Sequence, residues 1–305
     1  MTHVPPHTDH PGHPHHHPGH DHGGHQDHHH HADQDPQDQD QVEILDLDAE
    51  VLAEHIADIT EWLPLAAPPR RVVDLGCGTG TGTFALLARY PEAHVTAVDS
   101  SPVHLRRLRE RADAQGLGER VRTVEADLDA ATWPDLGAPD LVWASASMHH
   151  MADPPRALRA VRELLAPGGL FAVVELDGFP RFLPADAPAD RPGLEERLHE
   201  VSDRLHAEHL SHRGADWGPL LTAAGFDVEG SRTVRVDIDG SGNEVIVRYA
   251  LSGLRRLRAG VADALPAEDL AALDRLLDTD SPYGLLRRDD LTVRTERAVW
   301  AARRP

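Results

Sequence analysis

Short apolar runs alternate along this chain with segments of helical spacing. Val72-Val73-Asp74-Leu75 leads into Gly76-Cys77-Gly78-Thr79-Gly80, after which Phe84-Ala85-Leu86-Leu87-Ala88 reads as an amphipathic helix. A second apolar run, residues 94–98, closes on Asp99, nineteen residues past Gly80. Residues 121–127 and 139–144 are predicted as a third and a fourth strand, the third ending in Asp127. Asp153 before Pro154-Pro155 has the form of a helix N-cap with proline in the first turn. Pro167-Gly168-Gly169 stops that helix, and residues 170–175 are predicted as a fifth strand. Strands alternating with helices predict an α/β fold with a doubly wound sheet.

The glycine turn carries the first chemical signal. A strand, a tight glycine turn and a helix start let a backbone approach a nucleotide-like ligand closely. A dinucleotide fingerprint would need G-x-G-x-x-G, but its last position falls on Thr81 or Thr83, according to register. An acid just before the first glycine would also repel a pyrophosphate. It suits a ligand carrying positive charge, and S-adenosylmethionine has an ammonium, a sulfonium and no phosphate. On residues 72–80, an apolar pair followed by D-x-G-x-G-x-G, the chain resembles the class I S-adenosylmethionine-dependent methyltransferases. The resemblance is dense over residues 70–176, where the motifs and the L-x-P-G-G turn keep the family's order. It is thinner from 213 to 303, where Ala224-Gly225-Phe226 and Val299-Trp300-Ala301 resemble the family's last helix and last strands.

The resemblance implies a Rossmann-like, seven-stranded, mostly parallel sheet with helical insertions, and S-adenosylmethionine as cofactor. Asp74, Gly76, Gly78 and Gly80 are expected in the cofactor loop. Asp99, with Ser100 beside it, is placed to accept from ribose hydroxyls. By resemblance Asp127 takes the adenine amino group, Leu128 lies against the ring, and Ala144 contacts the cofactor from the fourth strand. Leu52, Ile56, Ile59 and Leu63 have helical spacing and predict a helix beside the cofactor cleft. Two insertions, about 180–212 and 243–278, are predicted to be largely helical and to wall a substrate site. Arginines at 255–258 face either an anionic substrate or solvent.

A sulfonium methyl is already activated, so the protein must align a nucleophile and exclude water. A general base is needed only if the acceptor is protonated. His149 and His150, past the fourth strand, are candidates for that base; otherwise the pair shapes the loop. Glu175, ending the fifth strand, is a further candidate for base or for binding a substrate ammonium.

Composition narrows the partners. All 30 basic residues are arginine, so no lysine is present for a Schiff base or a P-loop. The net charge is −21, and the residues after position 50 are themselves acidic in balance, which disfavours nucleic acid. Ala144-Ser145-Ala146-Ser147 stands where base-amino methyltransferases carry Asn/Asp-Pro-Pro-aromatic. Apolar runs fall short of a membrane span, no apolar stretch follows Met1, and Cys77 is the single cysteine; a cytoplasmic setting is expected. The acceptor is expected to be a small molecule, and the oligomeric state is left open.

Residues 1–41 form a separate, His-rich segment expected to be disordered. Fourteen of the 23 histidines lie between His3 and His31. His15, His16, His17 and the run His28, His29, His30 and His31 are expected to bind Zn, Ni, Cu or Co loosely, since no fixed ligand spacing exists. Two further functions stay open alongside methyl transfer: a metal buffer or carrier, and a cofactor-binding regulator without turnover.

Overall fold

β1 (Arg71–Leu75), β2 (His94–Asp99), β3 (Val121–Glu125), β4 (Leu141–Ser145), β5 (Leu170–Leu176), β6 (Asp227–Asp239) and β7 (Thr292–Arg303) hydrogen-bond into one sheet, in a computed structural model that describes residues 36–207 and 212–305. Their order is β3-β2-β1-β4-β5-β7-β6. The first five run parallel, whereas β7 pairs antiparallel with both β5 and β6. This is the expected mostly parallel sheet. The strand order reverses between β1 and β4, and that reversal opens a crevice at their carboxyl ends.

Helices cover both faces. α2 (Ala53–Trp62) and α3 (Thr81–Arg89) pack on one side, where Ile59, Leu86, Trp143 and Val174 share a cluster. α5 (Pro154–Leu164) and α7 (Trp217–Ala223) pack on the other with Leu158, Phe171 and Trp217. α4 (Pro102–Ala114) follows β2 and buries Leu105 and Leu108. As expected, Asp153 caps α5 by accepting from the Arg156 N–H.

The insertions build a third core. α1 (Pro36–Val51), α6 (Leu194–Ala207), α8 (Glu244–Val261) and α9 (Ala267–Leu277) enclose Leu47, Leu194, Leu198, Tyr249, Leu254 and Leu273. Each fully buried leucine contributes about 1.5–3 kcal/mol. The cap is therefore a packed wall rather than a set of loose loops.

Three boundaries differ from the sequence reading. Helix α1 begins at Pro36, inside the stretch read as tail to residue 41. The helix predicted near 51–59 is two helices that break at Leu52, whose side chain is fully buried. The break leaves the apolar series intact: Leu52, Ile56, Ile59 and Leu63 are all buried, as their spacing predicts. β3 stops at Glu125, not Asp127, because the Asp127 carboxylate accepts from the Asp129 N–H and turns the chain.

Candidate active site

The glycine loop follows directly from β1. Gly76 has φ of +65° and lies so close to the fourth-strand loop that a Cβ would overlap the Ser147 side chain. Ser147 Oγ donates to the Leu75 carbonyl at 2.8 Å, locking the two loops of the crevice together. Gly78, with φ of +53°, differs: a Cβ there would meet nothing closer than Leu45 at 3.4 Å. Its positive φ makes the turn, and Leu45 of the N-terminal helix lies over it. Gly80 caps α3 and packs on Phe84. Cys77 is buried, and burial, followed by the Asp74 and Asp99 charges, pushes its thiol well above the usual range. It packs the loop against Ala97, Leu105 and Leu108.

Asp99 closes the other side of the loop. Its Oδ2 accepts from the Gly78 N–H at 2.9 Å, and its Oδ1 from the Ser101 N–H at 2.9 Å. His104 Nδ1 lies 3.3 Å from Oδ1. Burial alone would raise this carboxyl, but the His104, Ser101 and Gly78 hydrogen bonds outweigh it and hold the group below the ordinary range. Asp99 is thus ionised, and Oδ2 keeps a lone pair for a further donor. Ser100 is exposed beside it.

Asp74 and Ala144 stand away from any ligand face, whereas Asp127 is open. Asp74 is 1% exposed and accepts from Thr83 Oγ1 at 2.7 Å, so it anchors α3 beneath the loop and presents no face to a ligand. Ala144 is wholly buried in β4, between Leu75 of β1 and Val173 of β5. Asp127 is exposed past the end of β3, and Leu128 is buried below it. Arg156 of α5 holds that turn through the Ala130 and Leu128 carbonyls, at 2.6 and 3.0 Å.

Past β4 the backbone turns sharply at Ala146, whose φ of +52° costs a non-glycine residue about 1–2 kcal/mol. The turn brings Met148, His149 and His150 over the end of β5. Glu175 Oε1 accepts from the Met148 N–H at 2.8 Å, and Oε2 lies 2.5 Å from His149 Nδ1. Glu175 and His149 are 1% and 4% exposed. Both Glu175 oxygens are engaged inside the protein, so Glu175 neither acts as a base nor binds a substrate ammonium. His149 is likewise enclosed and positions its neighbour, their ring centroids lying 4.1 Å apart. His150 is the exposed member of the pair. Desolvation at the cleft lowers its pKa, and the neighbouring His149 adds to this. The same ring lies within electrostatic reach of Glu175, Arg256 and Asp99.

His15, His16, His17 and His28 to His31 lie outside the described residues. Among the described residues no group of three His, Cys, Asp or Glu could hold a metal ion. No described helix is long and apolar enough to cross a membrane. A cavity of about 340 Å³ lined by Leu65, Pro68, Asp140 and Gly168 opens at the opposite, amino-terminal ends of β1 and β4, away from the crevice.

Thr83, His104, Ser147, Arg156 and Arg111, whose Nη1 donates to the Thr79 carbonyl at 2.9 Å, build the site although no sequence motif marks them. Only His104 had a local signal, lying five residues past Asp99 at a helix start. The others meet their partners across elements.

Residues 72–169 match a family model described as a methyltransferase domain. The chain is 34% identical over 245 residues to malonyl-[acyl-carrier protein] O-methyltransferase of Halorhodospira halophila, covering 78% of this chain and 75% of that one. It is 30% identical over 247 residues to trans-aconitate 2-methyltransferase of Mycobacterium sp. (strain KMS), covering 78% and 89%. A shorter match, 40% over 117 residues, spans 38% of this chain and 42% of trans-aconitate 2-methyltransferase from Methylobacterium radiotolerans. In fold it is similar to a crystal structure from Bacillus halodurans C-125 whose own assignment as a methyltransferase is provisional (TM-score 0.51, 19% identity, 83% and 99% covered). Two relatives matched over most of their length agree with the motif order and the crevice geometry, and the chain belongs to the class I S-adenosylmethionine-dependent methyltransferases of small-molecule type.

Proposed function

We propose that this enzyme methylates an oxygen of a small organic acid. The residues present fit S-adenosylmethionine: Gly78 turns the loop with φ of +53° and donates its N–H to Asp99, and the ionised Asp99 keeps an acceptor site. When bound, the cofactor supplies a methyl carbon that leaves sulfur for the acceptor, the electron pair staying on sulfur. Asp99 would hold the ribose hydroxyls, and the exposed Asp127 the adenine edge.

One arrangement carries the reading of the acceptor side. His150 is exposed at the end of the fourth-strand loop, its ring lying beside His149 of the buried Glu175–His149 pair. A carboxylate acceptor is already ionised and needs no base. The lowered pKa keeps His150 neutral near pH 7, with a ring N–H available to orient an acceptor oxygen. The relatives named for trans-aconitate and for malonyl-acyl carrier protein support an acid, and they favour an enzyme over a metal carrier or a regulator without turnover.

Calorimetry should give micromolar binding of S-adenosylhomocysteine and negligible binding of NAD. His150→Ala should lower turnover about 5–100-fold, the range for one lost hydrogen bond, with cofactor affinity unchanged. The wild-type rate should be flat from about pH 7 to 9, since a neutral ring has no proton to lose there. A rate that climbs through the imidazole range, and loses that slope in His150→Ala, would instead make His150 the base for a hydroxyl acceptor. The His-rich segment is proposed to bind divalent metal independently of catalysis, on its composition alone.

A further inference from the structure

We propose that His104 is a positioning residue for the cofactor: it acts through Asp99, fixing the carboxylate so that its remaining lone pair is the one offered to the ribose hydroxyls. This rests on the reading of Asp99 as the ribose ligand.

A carboxylate has about four acceptor sites, two on each oxygen. On Asp99 the Ser101 N–H and His104 Nδ1 both lie on Oδ1, at 2.9 and 3.3 Å. The Gly78 N–H takes a site on Oδ2 at 2.9 Å. What remains is a single site on Oδ2. Gly78 and Ser101 donate from backbone, held by the glycine turn and by the start of α4. His104 is the only side chain in the set. Without it Oδ1 has a free site as well, and the carboxylate offers a hydroxyl two oxygens in place of one.

The bond has a fixed direction. Asp99 is ionised and only accepts, so Nδ1 carries the proton. The ring is held by its helix: Ser101 caps α4, its Oγ accepting from the His104 N–H at 3.3 Å, and Leu105 is buried directly after. The His104 and Asp99 side chains are 12% and 11% exposed, so little water competes for the pair. Burial pushes the Asp99 carboxyl up, and the His104 hydrogen bond stands first among the contacts that bring it down. Asp74, under the same loop, shows the contrast: burial carries it to about 7 against the Thr83 hydroxyl. An imidazole partner thus keeps the charge on Asp99.

The test compares two ligands by calorimetry on the full chain: S-adenosylhomocysteine and its 2′,3′-dideoxyribose analogue, which lacks the hydroxyls. Wild type should prefer the first by at least about tenfold, and Asp99→Ala should erase that preference. His104→Phe keeps a ring and removes the donor. It should weaken S-adenosylhomocysteine about 5–20-fold and the dideoxy analogue less than about twofold. His104→Asn sets an amide N–H where the Nδ1 proton stands and should restore binding to within about threefold of wild type. If His104→Phe melts early, His104→Gln, whose amide reaches past the Nδ1 position, takes its place in the comparison. An equal loss for both ligands would reduce the ring to helix packing, and an unchanged affinity for S-adenosylhomocysteine would leave Asp99 oriented by backbone alone; either overturns the proposal. If Asp99→Ala keeps the wild-type preference, the ribose reading itself falls. If Asp99→Ala loses it while His104→Phe retains it in full, the ribose reading stands and His104 alone is overturned.

Discussion

Asp74 illustrates how one buried residue can mislead and then instruct. It lies under the glycine loop, with Thr83 as its hydrogen-bond donor and the Trp143 indole close against Gly82 above it. Burial raises its carboxyl to about 7; the Thr83 hydrogen bonds oppose that rise, and the Asp99 charge adds to it. The folded value is above the unfolded one, so the folded state holds its proton more tightly. The resulting stability is full below about pH 4 and is lost as pH rises through about 7. Asp74→Asn keeps the shape and removes the charge. It should match wild type at about pH 3.5, exceed it by about 1–2 kcal/mol at about pH 5 and by about 4 kcal/mol at about pH 8.5, read by urea unfolding. S-adenosylhomocysteine affinity at pH 6 should change less than about threefold, since the side chain has no face towards the ligand. A variant less stable than wild type across the whole range, or one that loses most of its binding, would return Asp74 to the ligand.

At the scale of elements, α1 connects the two halves of the site. Leu45 covers Gly78. Asp46 accepts from Arg107 Nε at 2.8 Å and Arg111 Nη1 at 3.0 Å, and that same Arg111 nitrogen donates to the Thr79 carbonyl in the glycine loop at 2.9 Å. Leu47 enters the cap core, and Asp48 ties to Tyr249 and Arg297. Asp46→Ala should therefore cost about 1–3 kcal/mol of stability, weaken S-adenosylhomocysteine binding several-fold and speed amide exchange in α1. Unchanged exchange and affinity would make the helix a passive cover. The same helix shows why part of the fold was hidden in the sequence. β1, β2 and β3 were legible because their apolar runs end on a glycine turn or on an acid fixed by the loop it enters. In α1 four consecutive residues face four different neighbours, so no apolar stripe appears. The role of Asp74 was illegible for a similar reason, since Trp143 comes beside it only when β1 pairs with β4. Asp99 and the glycines could be read because their geometry is local. The closure of Glu175 by His149 and Met148 depends on the sharp turn at Ala146, which has no sequence signature.

For the whole molecule, the boundary at Pro36 separates two different truncations. Removing residues 1–35 stops short of α1 and leaves every contact described above in place. Cofactor affinity and turnover should be unchanged, while uptake of zinc or nickel falls to near background. Metal uptake that survives this deletion would move the metal site out of the His-rich segment. Removing residues 1–51 is a different operation. It uncovers Gly78, takes Leu47 from the cap core and strips Asp48 from the buried Arg297. Leaving such a charge unpaired typically costs about 3–5 kcal/mol. The sheet keeps its own two apolar clusters, whereas the cap loses the helix that ties it to the cofactor loop. Scanning calorimetry should then resolve two transitions where the chain lacking only residues 1–35 shows one, the cap melting first. A single transition after removal of residues 1–51 would mean that β7 and its contacts to α8 suffice to couple the cores, and that α1 acts on ligand binding alone.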